Sequence, residues 1–143
     1  MTKRSFDIIM SALGMFCLSP LLLLLSLAII LNSGFPVFYF QKRIGKGGHA
    51  FKLIKFRTMR TNSKGLQITL DKDPRISGIG SVLRKYKLDE LPQLLNIFFG
   101  QMSFVGPRPE VRKYVELYTA EEKKIISIKP GLTGLDSLNY SQE

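Results

Sequence analysis

The strongest feature of the hydrophobic pattern is a run of 24 residues without a charged side chain, residues 8–31. As a straight helix this run would be about 36 Å long, which is enough to cross the hydrocarbon core of a bilayer. The run is also longer than the hydrophobic region of a typical cleaved signal peptide. The pattern therefore predicts a membrane-anchoring helix within residues 1–34 and a separate domain over residues 35–143.

Pro20 lies in the middle of this hydrophobic run. A proline removes one backbone donor and clashes with the carbonyl of the fourth residue before it, here Phe16, so a break or kink is expected. The hydroxyl of Ser19 could donate to the freed carbonyl. Basic residues flank both ends of the run and prefer the cytoplasmic side of a membrane. A helix bent at Ser19-Pro20 that enters and leaves on one face satisfies both flanks, and a single crossing with a tolerated proline is the alternative.

The rest of the chain alternates between short hydrophobic runs and polar turns. Residues 37–41 and 51–59 have the pattern of two strands, which predicts a β-hairpin around the basic, glycine-rich residues 43–49. Helices are predicted at residues 82–86 and 89–99, the second ended by Gly100. The fold class is therefore α+β, with short helices and a hairpin after the membrane helix.

Two details of these turns bear on function. The glycines of residues 43–49 could admit a phosphate, but no Walker A pattern is present, and a tight hairpin turn is the favoured interpretation. Thr119 and Glu122 have the spacing of a capping box that opens a further short helix.

Charge is concentrated in the middle of the chain. The formal net charge is +10, and residues 42–87 contain thirteen Lys or Arg but only two acids. Such a block suits nucleic acid, anionic lipid headgroups or a phosphorylated small substrate. The neighbouring membrane segment favours the last two, so a nucleic-acid partner is not expected. Cys17 is the single cysteine, which excludes a disulfide within the chain.

Two adjacent carboxylates, Asp89 and Glu90, follow the most basic part of the chain. Acids at a helix N-terminus commonly cap it, and Asp89 is a plausible N-cap for residues 89–99. The surroundings favour phosphate chemistry instead, because Arg84 precedes the pair and Arg108 follows between two prolines. An arginine held in this way presents its fork with little backbone freedom, which suits bidentate contact with phosphate.

These residues form part of a wider likeness. The chain resembles the bacterial sugar transferases, small monotopic phosphoglycosyl transferases that begin membrane glycan assembly. The stretches that carry the resemblance are Lys-Arg-Ser-Phe-Asp at 3–7, Ser-Pro at 19–20, Phe-Gln-Lys-Arg-Ile-Gly at 40–45, Lys-Phe-Arg-Thr-Met at 55–59, Asp-Pro-Arg-Ile at 73–76, Leu-Asp-Glu-Leu-Pro-Gln-Leu at 88–94, Met-Ser-Phe-Val-Gly-Pro-Arg-Pro at 102–109 and Lys-Pro-Gly-Leu-Thr-Gly at 129–134.

The resemblance implies a reaction. A sugar 1-phosphate would move from a UDP-sugar to polyprenyl (undecaprenyl) phosphate, with release of UMP and with Mg²⁺ as cofactor. By resemblance, Asp89 is the nucleophile that forms a covalent phosphosugar intermediate and Glu90 is its partner carboxylate, both near the metal. The re-entrant helix bent at Ser19-Pro20 is also implied. It would place a small cytoplasmic domain at the inner face of the bacterial inner membrane, in contact with membrane lipids.

The resemblance also suggests how the substrate is bound. Arg84 and Arg108 match family positions that contact phosphate, and further basic residues are expected to form the positive surface around the substrate. These are Lys42, Arg43, Lys55, Arg57 and Arg75.

The sequence departs from the family pattern at two points. Leu135, Asp136 and Ser137 stand where members usually have a small residue and a glutamine, and the resemblance implies a chain that ends short of the usual family length. Two alternatives to an active transferase stay open. One is a non-catalytic, membrane-anchored basic module that binds anionic lipid or nucleic acid. The other is an inactive homologue.

Overall fold

A computed structural model of the chain describes residues 2–60 and 75–134. The fold is α+β, as predicted. The helices are α1 (Lys3–Ser33), α2 (Gly78–Lys85), α3 (Gln93–Phe98) and α4 (Arg112–Val115). The strands are β1 (Phe38–Ile44), β2 (Ala50–Phe56), β3 (Ser103–Val105) and β4 (Gly131–Thr133). Three 3-10 turns occupy Lys46–Gly48, Leu88–Glu90 and Glu122–Ser127.

The chain forms two compact units. The first contains Met1–Phe16, Phe40–Ile54 and Gln93–Glu143, and the second contains Cys17–Tyr39 and Lys55–Pro92. Helix α1 and the β1–β2 hairpin each contribute to both units. The domain boundary predicted after residue 34 stays a prediction.

Helix α1 is the one described helix that is long and apolar enough to cross a membrane by length and composition. It runs without interruption for 31 residues, or about 46 Å, with Pro20 inside it. The helix is therefore not broken at Pro20, and a bend at Ser19-Pro20 stays a prediction. Large apolar side chains on α1 face outwards, and those of Phe16 and Leu31 are 79% and 78% exposed. Such a surface suits lipid, and a course that enters and leaves on one face stays a prediction.

The second unit has its core where the end of α1 meets β2 and α2. Ile29, Phe56 and Leu83 are almost fully buried there. Partly buried side chains surround these three: Leu22, Leu25, Val37, Ile79 and Leu88. This core fixes the position of β2 and α2, which carry the residues of the candidate site.

Helix α2 begins four residues earlier than the sequence indicated. Ser77 is its N-cap, and the Ser77 hydroxyl accepts a hydrogen bond from Gly80 N at 3.0 Å. Two glycines in the first turn, Gly78 and Gly80, hid this start, because glycine disfavours a helix interior.

The predicted hairpin is confirmed: β1 and β2 are neighbours in a two-stranded sheet. The glycine-rich connection is a tight turn, in which Gly47 and Gly48 have φ of 70° and 80°. Strand β1 continues to Ile44 rather than ending at residue 41, since Ile44 N also donates to Glu110 O at 2.8 Å.

Within the first unit, β3 pairs in parallel with β4, with Ser103 opposite Gly131 and Val105 opposite Thr133. The predicted capping box is confirmed nearby. Thr119 N donates to Glu122 Oε2 at 2.8 Å, and Glu122 N donates to Thr119 Oγ1 at 3.3 Å.

Buried polar side chains join the elements of the first unit. Asn96 is fully buried; its Oδ1 accepts from Ile54 N at 3.0 Å, and its Nδ2 donates to Lys52 O at 2.8 Å. Asp7, which is 2% exposed, accepts from Ser103 Oγ at 3.1 Å and Phe104 N at 3.3 Å. These contacts attach β2 to α3, and the first turns of α1 to β3.

Candidate active site

The adjacent acids lie on a 3-10 turn between α2 and α3. Lys87, with a left-handed φ of 54°, ends the α2 segment and turns the chain into Leu88–Glu90. Helix α3 begins only at Gln93, so the prediction that Asp89 is the N-cap of a helix over residues 89–99 is wrong. The left-handed Lys87 separates the acids from α2, and Pro92, which has no N–H, lies between the acids and α3. The predicted end is confirmed, because Gly100 follows α3 with φ of 83°.

Glu90 is paired with a lysine from β2. Lys55 Nζ lies 2.7 Å from Glu90 Oε1, and the two side chains are only 17% and 27% exposed. At this distance the contact is a charge-assisted hydrogen bond in partly dry surroundings. The Lys55 cation therefore neutralises Glu90 and fixes its direction.

Asp89 has no such partner: among the described residues, no ion pair within 4.0 Å involves it. Burial raises the pKa of the Asp89 carboxyl above its ordinary value. The Lys55 cation opposes that rise in pKa, whereas the Glu90 carboxylate adds to it. An incompletely solvated carboxylate without a fixed cation is a more reactive oxygen nucleophile than an exposed one.

Arg84, in the last turn of α2, is the fourth residue of the site, beside Lys55, Asp89 and Glu90. Its Nε donates to Thr58 Oγ1 at 2.8 Å, and its charge, like that of Lys55, opposes the rise in the pKa of Asp89. The two terminal nitrogens of Arg84 make no hydrogen bond to any residue that the structure describes. The second unit thus brings together four of the predicted site residues: Lys55, Arg84, Asp89 and Glu90.

Thr58 is the residue that the sequence analysis missed. It belongs to the Lys-Phe-Arg-Thr-Met stretch and is 7% exposed. A polar residue two positions after a half-buried strand was a signal for a specific role. Its partner Arg84 is 26 residues away in sequence, so no local pattern could identify the contact.

Arg57 and Arg75 also lie in the second unit. Arg57 is 6% exposed and its terminal nitrogens donate to the carbonyls of Ser33, Gly34 and Phe35 at 2.6, 2.5 and 2.8 Å. It therefore satisfies backbone acceptors at the C-terminal end of α1. Arg75 accepts a backbone hydrogen bond from Arg60 at 3.0 Å. Substrate binding by either arginine stays a prediction.

Arg43 and Arg108 belong to the first unit. Arg43 Nη1 donates to Pro109 O at 3.0 Å and lies 3.6 Å from Glu110 Oε2. Arg108, between its two prolines, lines a shallow concavity with apolar walls that include Val115 and Ile128. The substrate contacts predicted for Arg43 and Arg108 stay predictions, as does the place of Lys42 in the positive surface.

The donor set limits which metal the site can hold. Within residues 2–60 and 75–134, no group of three or more His, Cys, Asp or Glu side chains is placed to bind an ion. Two adjacent carboxylates, Asp89 and Glu90, are a donor set that Mg²⁺ uses together with substrate phosphates. The pair therefore suits a magnesium ion shared with a phosphate, and the Mg²⁺ expected from the resemblance stays a prediction.

A family model described as bacterial sugar transferase matches residues 1–143. The exopolysaccharide production protein ExoY of Sinorhizobium fredii is 44% identical over 151 residues, covering 94% of this chain and 67% of that protein.

Two longer relatives carry names that state a reaction. One is the UDP-N-acetylgalactosamine-undecaprenyl-phosphate N-acetylgalactosaminephosphotransferase of Aeromonas hydrophila, 39% identical over 92% of this chain and 32% of that protein. The other is the UDP-glucose:undecaprenyl-phosphate glucose-1-phosphate transferase of Escherichia coli, 38% identical over 96% of this chain and 31% of that protein. This chain therefore spans about a third of the length of each.

Proposed function

This chain belongs to the bacterial sugar transferase family, and from that premise we propose that it transfers a sugar 1-phosphate from a UDP-sugar to undecaprenyl phosphate. The observation that carries the proposal is the arrangement of the two acids. Lys55 neutralises Glu90, whereas Asp89 is partly buried, has a raised pKa and is accompanied by Arg84. One carboxylate is thus held in place and the other is left to react.

In the first step, an oxygen of Asp89 attacks the phosphorus that carries the sugar. A bond forms between this oxygen and phosphorus, and the bond from phosphorus to the oxygen bridging the two phosphates breaks. UMP leaves with that oxygen, and the sugar phosphate stays on Asp89 as a mixed anhydride. Covalent catalysis of this kind divides one difficult displacement into two easier ones.

In the second step, a phosphate oxygen of undecaprenyl phosphate attacks the same phosphorus. The bond to Asp89 breaks, the carboxylate is regenerated, and the product is an undecaprenyl diphosphosugar. This lipid would begin a membrane glycan such as an exopolysaccharide.

The cations of the site act on the charge that develops during both displacements. The terminal N–H groups of Arg84 have no acceptor among the described residues and can donate to the substrate phosphates. Lys55 holds Glu90 in a fixed orientation. Fixed charges of this kind stabilise a phosphoryl transition state more effectively than water can. Asp89 and Glu90 would hold Mg²⁺ together with the substrate phosphates, and the ion would supply further neutralisation of phosphate charge.

The location of the enzyme follows from its lipid substrate. We place α1 in the bacterial inner membrane, where it enters on the cytoplasmic face, bends at Ser19-Pro20 and leaves on the same face, so that the polar domain lies where UDP-sugars are found. The phosphate of the acceptor lies at the depth of the lipid headgroups. Arg57 holds the end of α1 at Ser33–Phe35, and two residues away Lys55 contacts Glu90.

The test is UMP release by the detergent-solubilised protein with undecaprenyl phosphate, Mg²⁺ and a panel of UDP-sugars. We expect release that requires the lipid and the metal and is lost in Asp89→Asn. Glu116→Gln is a matched control, because Glu116 is an exposed acid outside the site. Mass spectrometry of the protein with donor alone should show the added mass of one sugar phosphate on Asp89.

Two outcomes would contradict the proposal. Unchanged release by Asp89→Asn would exclude this residue as the nucleophile. Salt-sensitive binding to anionic vesicles, with no UMP release from any donor, would favour the non-catalytic basic module instead.

A further inference from the structure

Thr58 is held in place through its backbone by the start of helix α2. Its carbonyl accepts from Ser77 N at 3.0 Å and from Ser77 Oγ at 3.3 Å. Both residues are buried, with exposures of 7% and 1%. The position of Thr58 is therefore set by the same residue that caps α2.

Close packing leaves this contact little room to shift. A Cβ atom on Gly80 would lie 2.0 Å from Thr58 O, so α2 approaches the strand end backbone to backbone. Only glycine permits such an approach. Thr58 is thus a rigid point of attachment.

The side chain of Thr58 contacts the other end of the same helix. Its hydroxyl accepts from Arg84 Nε at 2.8 Å. Arg84 follows Ser77 by seven residues, which is about two helical turns, so the two residues share one face of α2. One threonine therefore binds both ends of α2, the first through its backbone and the second through its hydroxyl.

This hydrogen bond determines how the guanidinium is presented. With Nε fixed, rotation of the planar group is restricted. The terminal nitrogens have no hydrogen-bond partner among the described residues and can donate to a ligand. We propose that Thr58 is a positioning residue that orients the Arg84 fork toward the phosphates of the donor substrate. The effect of this positioning on the rate rests on the function proposed above. The hydrogen bond between Thr58 and Arg84 does not depend on that function.

Two substitutions separate the hydroxyl from the shape of the side chain. Thr58→Val keeps the branched shape and removes the acceptor, and Thr58→Ser keeps the acceptor. We expect Thr58→Val to lower kcat for UMP release about 10- to 100-fold, because an unaligned arginine stabilises the transition state poorly. The KM for the UDP-sugar should change less than about threefold, since the cation itself remains. Thr58→Ser should restore most of the rate.

A double-mutant cycle tests whether Thr58 acts through Arg84. In an Arg84→Met background, which removes the guanidinium, Thr58→Val should lower the residual rate no further. If the two residues acted independently, the losses of rate in the two single variants would multiply in the double variant. A purely structural defect would lower the rate in both backgrounds.

The Nε–H resonance of Arg84 in the full chain gives a readout that needs no turnover. This resonance, assigned by its loss in Arg84→Lys, should be protected from exchange in the wild type and in Thr58→Ser. It should exchange rapidly in Thr58→Val. If the wild type releases no UMP with any donor, the proposed function fails, but the exchange comparison still decides whether Thr58 holds Arg84.

Three results would overturn the positioning role. They are equal losses of rate in Thr58→Ser and Thr58→Val, a full Thr58→Val loss in the Arg84→Met background, and Arg84 Nε–H exchange that is the same in all Thr58 variants.

Discussion

The contact between α2 and the end of β2 can be tested with two glycines of the same helix. In Gly80→Ala the new Cβ would lie 2.0 Å from Thr58 O and 2.7 Å from Thr58 C. In Gly78→Ala the new Cβ would have no heavy atom within 4 Å. The two changes are chemically identical and two positions apart, so their difference reports the contact alone.

The size of the effect follows from the distances. A carbon and a carbonyl oxygen normally stay at least about 3.3 Å apart, so the backbones in Gly80→Ala must separate by about 1 Å. That shift weakens two hydrogen bonds, Ser77 N to Thr58 O at 3.0 Å and the partly buried Arg84 Nε to Thr58 Oγ1 at 2.8 Å. With about 1 to 1.5 kcal/mol for each bond and about 1 kcal/mol regained from helix propensity, Gly80→Ala should destabilise the fold by about 1 to 2 kcal/mol.

The assay is denaturant unfolding of the detergent-solubilised protein, followed by circular dichroism, with UMP release measured in parallel. Gly78→Ala should be neutral or stabilising by up to about 1 kcal/mol and should keep its activity. Gly80→Ala should lose both stability and UMP release, because Thr58 and Arg84 move apart. Equal unfolding free energies in the two variants would refute the claim that close packing at Gly80 fixes the site.

Three further outcomes follow from buried polar groups. Burial raises the pKa of Asp89 in the folded protein, so the ionised carboxylate opposes folding. The contribution of Asp89 to the free energy of unfolding is therefore fully present below its ordinary pKa and is lost as the pH rises through the raised pKa. Asp89→Asn should therefore raise the unfolding free energy at neutral pH but not in acid, measured with a chelator present, and an equal gain at every pH would contradict this. Asp7→Leu should lower the unfolding free energy by about 1 to 3 kcal/mol by leaving Ser103 without its acceptor, and Asp7→Asn, which keeps an acceptor oxygen, should lower it less; equal losses would exclude the hydrogen bonds as the cause. Asn96→Leu removes three buried hydrogen bonds and should lower the unfolding free energy by about 3 kcal/mol, whereas a loss below about 1 kcal/mol would show that water replaces the amide.

Local patterns in the sequence were sufficient for several elements. The uncharged run predicted α1, alternating residues with a glycine-rich turn predicted the hairpin, and Thr119 with Glu122 predicted a capping box. Each of these depends on residues close together in the chain. Their physical causes, periodicity and local hydrogen bonding, are therefore visible without a fold.

The sequence predicted which residues belong to the site, but not how those residues are arranged. The motif identified Asp89 and Glu90, but their local structure depends on Lys87 adopting a left-handed backbone, which few sequence patterns indicate for lysine. The pairing of Glu90 with Lys55 joins residues 35 positions apart. Tertiary packing decides which acid is neutralised and which is left to react. The spacing of residues along the chain does not reveal this packing.

The carbonyl contacts of Arg57 have a consequence for how the protein responds to its membrane. The end of α1 is fastened to Arg57, which follows β2 directly and is two positions from Lys55, so the level at which the helix leaves the lipid would also set the height of the acid pair. A bilayer thinner or thicker than the depth to which the bent α1 inserts would then strain this connection through hydrophobic mismatch. The protein would be sensitive to bilayer thickness, with a UMP release rate that peaks at one acyl-chain length. An identical rate in short-chain and long-chain bilayers would show that the anchor and the acid pair move independently.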